Sequence, residues 1–513
     1  MAARITAYLV AFIVGTTVIA GLIVGAQRED APVDLIVVNG SVYTADGSGD
    51  AALAEALAVQ GNRILLVGSN REVQRLRRPQ TVVVDANGGT VLPGFNDTHA
   101  ELIETGLAAS QVSLLGADTL TAVESAIKAW TAANPDREWV IGHGWNSEAF
   151  EGGTPTRQSL DALVPDRPVF LVADDGRSGW ANSRALNLAN VTRRTPNPVG
   201  GTIVKDPRTG QPTGVLKNAA MNLVADLIPA ATREDRSAAL RAAVESAHRH
   251  GVTSVHHAGT EEDLELFDSL RRARDLRLRV YATLAGETGM STAELDRLDE
   301  LQRKYDDDPV FKAGAIRLTV HDEEDADLLT ELVSELDKRG WQLIIEAIGD
   351  QAVQLALEAI AFATGANVES ERGRRHRVEY VDTKEDVDAA EVSELGVLLD
   401  MQPRAGASEQ LQDPITGVYA AVNRQLPEGA SDGWIPSRRM TLRRAIDVFT
   451  RDAAWASFDE HRKGALGRDM LADIVVLSED IFALPSARLL EAEVVVTIFD
   501  GKVVYSRSAE SND

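Results

Sequence analysis

The stretch VLPGFNDTHAEL, Val91 to Leu102, decides how the rest of the chain is read. An apolar run meets Pro93-Gly94, which has the look of a strand entering a turn. His99 follows, and two residues later comes Glu101. This frame presents a metal site when both positions are imidazoles, but here the second is a carboxylate.

Outward from this stretch, the middle of the chain alternates. Strand-like runs include WVIGHGW, GVTSVHH, RLRVYATL, AIRLTV, WQLIIEAIGD and HRVEYVD. Helical segments at 237–250, 325–339 and 351–364 lie between several of them. Strand–helix alternation over this length predicts a parallel sheet and a (β/α) TIM-like barrel. Both ends of the chain are different. DLIVVNGSVYTAD (Asp34–Asp46) predicts strand, Asn-Gly turn, strand, and ALAVQGNRILLVGS repeats the pattern. ADIVVLSED and EVVVTIFDGKVVYS answer at the far end, with Asp500-Gly501 as a hairpin turn. The expected architecture is α/β: a barrel over 91–464 and a small β-sandwich from 31–90 and 465–510.

Residues 5–26, ITAYLVAFIVGTTVIAGLIVGA, carry no charge and are long enough to span a bilayer. The expected fold class therefore includes an N-terminal transmembrane helix within 1–30. Arg4 on its leading side places the body on the extracytoplasmic, periplasmic side. A cleaved signal peptide ending before Gln27 is the competing reading. Net charge is −26 over 513 residues, which argues against nucleic acid as a partner. The absence of cysteine excludes disulfides, thiolate metal sites and a cysteine nucleophile.

VLPGFNDTHAEL, GHGWN, PTRQSLDALVPDRPVFLVADDGRSGWANSRAL, GVTSVHHAG, GWQLIIEAIGD, HRVEY, MQP and RKGALGRDMLADIVVL occur in the order of known landmarks. On these motifs the chain resembles the amidohydrolase superfamily, in its amidohydrolase-3 type branch. The resemblance implies a barrel that holds one or two divalent metals at the C-terminal ends of its strands and hydrolyses C–N bonds other than peptide bonds. It implies ligands from an H-x-H pair, a carboxylated lysine, two single histidines and an aspartate, with the metal acidifying a water.

Position by position, that set is replaced. His99 matches the first histidine and Glu101 the second. Arg317 stands at the lysine position; arginine stays protonated and cannot form a carbamate. Glu346 and Tyr380 stand at the two single-histidine positions. Arg177 replaces a histidine expected to contact substrate. After MQP the chain reaches Asp413-Pro414 too soon, so a helix and a strand of the barrel are expected to be missing.

These substitutions predict a pseudoenzyme without a bound cofactor, in which Arg317 pairs with Glu101 or Glu346 and Tyr380 donates to a carboxylate. Its expected role is a structural or interaction subunit of a membrane assembly, anchored in the bilayer through residues 5–26. The alternative is an active hydrolase with one zinc or manganese ion on His99, Glu101 and Glu346. A third reading has Arg177 and Arg317 holding an anion. Two further expectations are local. His256 and His257 point to opposite faces of their strand, and Asp350 N-caps the helix it precedes.

Overall fold

The computed structural model describes residues 33–47, 53–305, 307–322, 324–381, 395–399, 413–425 and 439–507. It divides into two compact units, one formed by the chain up to Ala100 together with that from Val244 onward, the other by Glu101–Ala243.

Seven parallel strands form the main sheet of the first unit: β1 (Phe95–Ala100), β2 (Val252–Gly259), β3 (Arg279–Ala285), β4 (Phe311–His321), β5 (Gln342–Ile348), β6 (Arg377–Val381) and β7 (Leu398–Leu399). Each pairs with its neighbour in chain order. Helices α1 (Glu261–Ala273), α2 (Thr292–Lys304), α3 (Ala326–Lys338) and α4 (Asp350–Ala366) connect β2 through β6. Parallel pairing requires such crossovers. Three of the helices start on side-chain caps: Thr260 and Ser291 close capping boxes with Asp263 and Glu294, and Asp325 caps α3. The fourth departs from expectation. Gly349, at φ +106°, occupies the N-cap of α4, and Asp322 Oδ1 accepts from Ala352 N at 3.0 Å. Asp350 is already inside the helix.

The same unit contains two smaller sheets. One runs Arg63–Gly68, Ala56–Gln60, Leu35–Val38, Val82–Asp85; the other runs Ser41–Val42, Thr90–Pro93, Ile474–Leu477, Val494–Phe499, Lys502–Ser506. They share one apolar core that includes Val37, Leu57, Ile64, Val91, Ile474 and Ile498. Asp500 and Gly501 both take positive φ, as a two-residue hairpin turn requires. Asn39-Gly40 does not make the expected hairpin. Leu35–Val38 belongs to one sheet and Ser41–Val42 to the other, so this turn carries the chain between layers. A Cβ on Gly40 would lie 2.7 Å from Val91 Cγ2, and that close approach needs glycine.

The expected fold class is corrected in one respect: it included a transmembrane helix. Residues 5–26 lie outside the described residues, and among those described no helix is long and apolar enough to cross a membrane. Arg233–Arg249 and α4 each reach 17 residues, short of the roughly 20 apolar residues a span takes. The fold is α/β, a parallel sheet with crossover helices consistent with a TIM-like barrel. The segment after β7 on which the missing helix and strand were expected, 400–412, also lies outside the described residues.

In the second unit, a sheet runs Gly201–Lys205, Pro212–Asn218, Ser178–Ala181, Val169–Ala173, Val140–Trp145, Val112–Ser113. Trp145, Phe150 and Trp180 pack edge-to-face in its core, and both indole N–H groups donate to backbone carbonyls.

Candidate functional site: an arginine–carboxylate cluster on the parallel sheet

Register builds the site. Thr319, Glu346 and Glu379 stand in one row across β4, β5 and β6. Arg317, Ile344 and Arg377 form the row two residues earlier. Residues two apart on a strand share a face, so both rows project to the same side of the sheet. His99, near the end of β1, joins them across the sheet.

Glu379 is the centre. It is 4% exposed, and three groups converge on it. Arg377 Nη2 lies 2.5 Å from Oε1. Arg317 Nη1 and His99 Nδ1 lie 3.2 and 3.1 Å from Oε2. Burial by itself would raise the Glu379 pKa, but Arg377, then Arg317, and the hydrogen bond from His99 outweigh it. Together they hold the carboxyl well below the usual range. Because Glu379 is an anion, His99 Nδ1 carries the proton and donates. Arg317 Nη2 also lies 3.4 Å from Glu346 Oε1 and 3.3 Å from His99 Nδ1. Thr319 Oγ1 donates to Glu346 Oε2 at 3.3 Å.

Arg377 continues the network inward. Its Nη1 donates to His256 Nδ1 at 3.0 Å and its Nη2 to Thr98 O at 3.3 Å. Burial, and then the Arg377 and Lys463 cations, push the His256 pKa well down, so the ring is a neutral acceptor. His257 packs edge-on against Phe267 of α1. The two histidines therefore serve opposite faces of β2, as alternation on a strand dictates.

Of the residues singled out in the sequence, His99, Arg317 and Glu346 come together. Glu101 begins the Leu102–Ala109 helix of the other unit, where its carbonyl accepts from Thr105 N at 2.8 Å. Arg177 lies exposed in that unit, in the turn before Ser178–Ala181. Tyr380 is in register with Ala347, but its side chain lies outside the described residues. Glu379 and Arg377 were missed. The signal was the R-x-E spacing in HRVEY, which puts a cation and an anion on one strand face.

The metal implied by the family does not fit these residues. Among the described residues, no group of three or more His, Cys, Asp or Glu is placed to hold a metal ion. The buried carboxylate is engaged by two guanidinium groups, and Arg317 puts a fixed cation against both His99 and Glu346. A divalent ion there would meet like charge. The expected anion site changes as well, since the Arg317 charge is already matched by Glu346 and Glu379.

Comparison with known proteins adds the family. The sequence profile of the amidohydrolase family matches residues 82–413 and 408–505. The protein LONG AFTER FAR-RED 3 of Arabidopsis thaliana is 28% identical over 92% of this chain and 91% of its own length. The N-substituted formamide deformylase of Arthrobacter pascens is 26% identical over 93% of this chain and 99% of its own. A crystal structure described as an uncharacterized metal-dependent hydrolase, from Pyrococcus furiosus, superposes with a TM-score of 0.65 at 22% identity, covering 87% of this chain and 99% of that one.

Proposed function

This chain belongs to the amidohydrolase family, and from that premise we propose that it is a non-hydrolytic member, a pseudoenzyme whose barrel serves binding or assembly. One observation carries the reading. The Arg317 guanidinium, standing where the resemblance puts a carboxylated lysine, lies within 3.4 Å of Glu346, Glu379 and His99. A permanent side-chain cation takes over the charge balance that a metal would otherwise supply. Glu346 and Glu379 each present a carboxylate oxygen to it, at 3.4 and 3.2 Å.

Metal analysis after purification and after incubation with zinc and manganese tests this, together with turnover assays on N-formyl and cyclic amides. The expected result is far less than one equivalent of metal and no turnover above the uncatalysed rate. A stoichiometric ion that disappears in His99→Ala, or turnover that this variant abolishes, would overturn the proposal. That outcome would favour metal-dependent hydrolysis of non-peptide C–N bonds, a reading supported by the name of the Arthrobacter pascens relative.

A further inference from the structure

Beside the cluster, at the ends of β3 and β4, lies a cavity of about 460 Å3. Its size suits a small organic molecule. Arg317 forms part of its wall. Leu318, Val320 and Leu329, all buried, supply an apolar side. Gly286 helps to shape it: a Cβ there would lie 2.7 Å from both Ile316 Cγ2 and Leu318 Cδ2.

The charge of the lining selects the ligand. Arg317 is already matched by Glu346 and Glu379, and Arg377 by Glu379. Glu287 and Glu324 also line the cavity, and among the described residues neither makes an ion pair. Glu324 is half-buried and fixed, because Thr288 Oγ1 donates to its Oε1 at 2.8 Å. That bond ties the loop after β3 to the loop after β4. It uses one oxygen and leaves the carboxylate as an oriented acceptor. The space therefore combines an apolar wall, hydroxyl groups, the already paired Arg317 and two carboxylates, Glu287 exposed and Glu324 half-buried, that make no ion pair among the described residues. An anion entering it would be repelled, while an ammonium group would gain a charge-assisted hydrogen bond.

We propose that this cavity binds a small primary amine in its protonated form, the ammonium between Glu287 and Glu324 and the carbon body against Leu329 and Val320. The proposal rests on the non-hydrolytic reading of the neighbouring cluster.

Titration calorimetry and thermal shift on the full, metal-free chain test it, with n-butylamine and phenethylamine set against butyrate and phenylacetate. The amines are expected to bind and raise Tm, and the carboxylates to do neither. Glu287→Gln with Glu324→Gln should weaken amine binding at least about tenfold, the scale of a lost charged hydrogen bond, with an unchanged circular dichroism spectrum. Ala285→Trp, which fills the space from a lining position, should abolish binding irrespective of charge. Binding of the carboxylates instead, no binding of either series, or amine affinity unchanged in these variants would overturn the proposal. Metal content measured on the same samples separates the two readings. Amine binding that requires added metal would overturn the non-hydrolytic reading and this one with it. Absence of amine binding in metal-free protein would overturn only this one.

Discussion

Arg317 Nη1 and Arg377 Nη2 meet the two oxygens of the single buried carboxylate Glu379, at 3.2 and 2.5 Å. Neither guanidinium has ready access to water, with side-chain exposures of 15% and 2%. Removing Glu379 would leave Arg377 as a buried charge without its carboxylate. Glu379→Gln is expected to lower unfolding free energy by about 3–5 kcal/mol. Arg317→Gln should cost less, because Glu379 keeps Arg377 and His99. In a double-mutant cycle by urea denaturation the pair should couple by about 1–3 kcal/mol. Additive losses would show that the contact is incidental.

Asp337 on α3 predicts the acid limb of stability. It accepts from His376 Nε2 at 3.0 Å, Arg374 Nε at 2.8 Å and Asn367 Nδ2 at 3.0 Å. Burial raises its pKa, but these donors outweigh burial and bring it from 3.8 down to about 2. A depressed carboxyl stabilises the fold fully above its unfolded value and loses that contribution as pH falls through the folded one. Thermal scans between pH 2 and pH 6 should therefore show the native chain losing stability over that window. Asp337→Asn should begin less stable at pH 6 and change less. Parallel curves would refute the assignment.

Lys463 predicts a slope of the same sign in the alkaline range, where its charged form is the destabilising one. It is 5% exposed. Burial lowers its pKa to about 8, with Asp459 opposing and Lys312 and Arg279 adding to the depression. A lysine depressed in the fold weakens it progressively as pH falls from 10.5 to about 8, and fully below that. Lys463→Met should be more stable than the native chain at pH 7, by on the order of 2 kcal/mol. The advantage should shrink as pH rises above 8. An advantage that persists at pH 10.5 would point to packing rather than charge.

Gly106 makes a prediction about the second unit. A solvent-facing helical glycine usually gains about 1 kcal/mol on replacement by alanine. Here a Cβ would lie 2.0 Å from the backbone oxygen of Ala239. Gly106→Ala should instead lose about 1–3 kcal/mol through overpacking, read from chemical denaturation. A stabilised variant would mean that the Leu102–Ala109 helix shifts freely.

Periodicity and turn residues carried most of the fold. The helices expected at 237–250, 325–339 and 351–364 occur as Arg233–Arg249, α3 and α4, and the last two bury apolar residues at helical spacing, Leu329 and Val333 on α3, Val353 and Leu357 on α4. Asn39-Gly40 misled, since a turn dipeptide specifies local backbone and not which sheet receives the next strand. His99, Arg317 and Glu346 were legible as a group because each replaces a residue of a known motif. Glu379 was not, because a carboxylate in the middle of HRVEY matches no departure from the pattern and two of its three partners, His99 and Arg317, lie 280 and 62 residues away.

By itself, then, the sequence determined a parallel α/β architecture, the family and the replacement of the metal-site lysine by an arginine. Those follow from residue type and spacing, which are local properties. The tertiary structure decided that Arg317 meets Glu379 as well as Glu346, that Arg377 belongs to the same network and that Glu287 and Glu324 face a cavity beside it. Strand register sets those meetings, and register depends on the packing of the whole sheet.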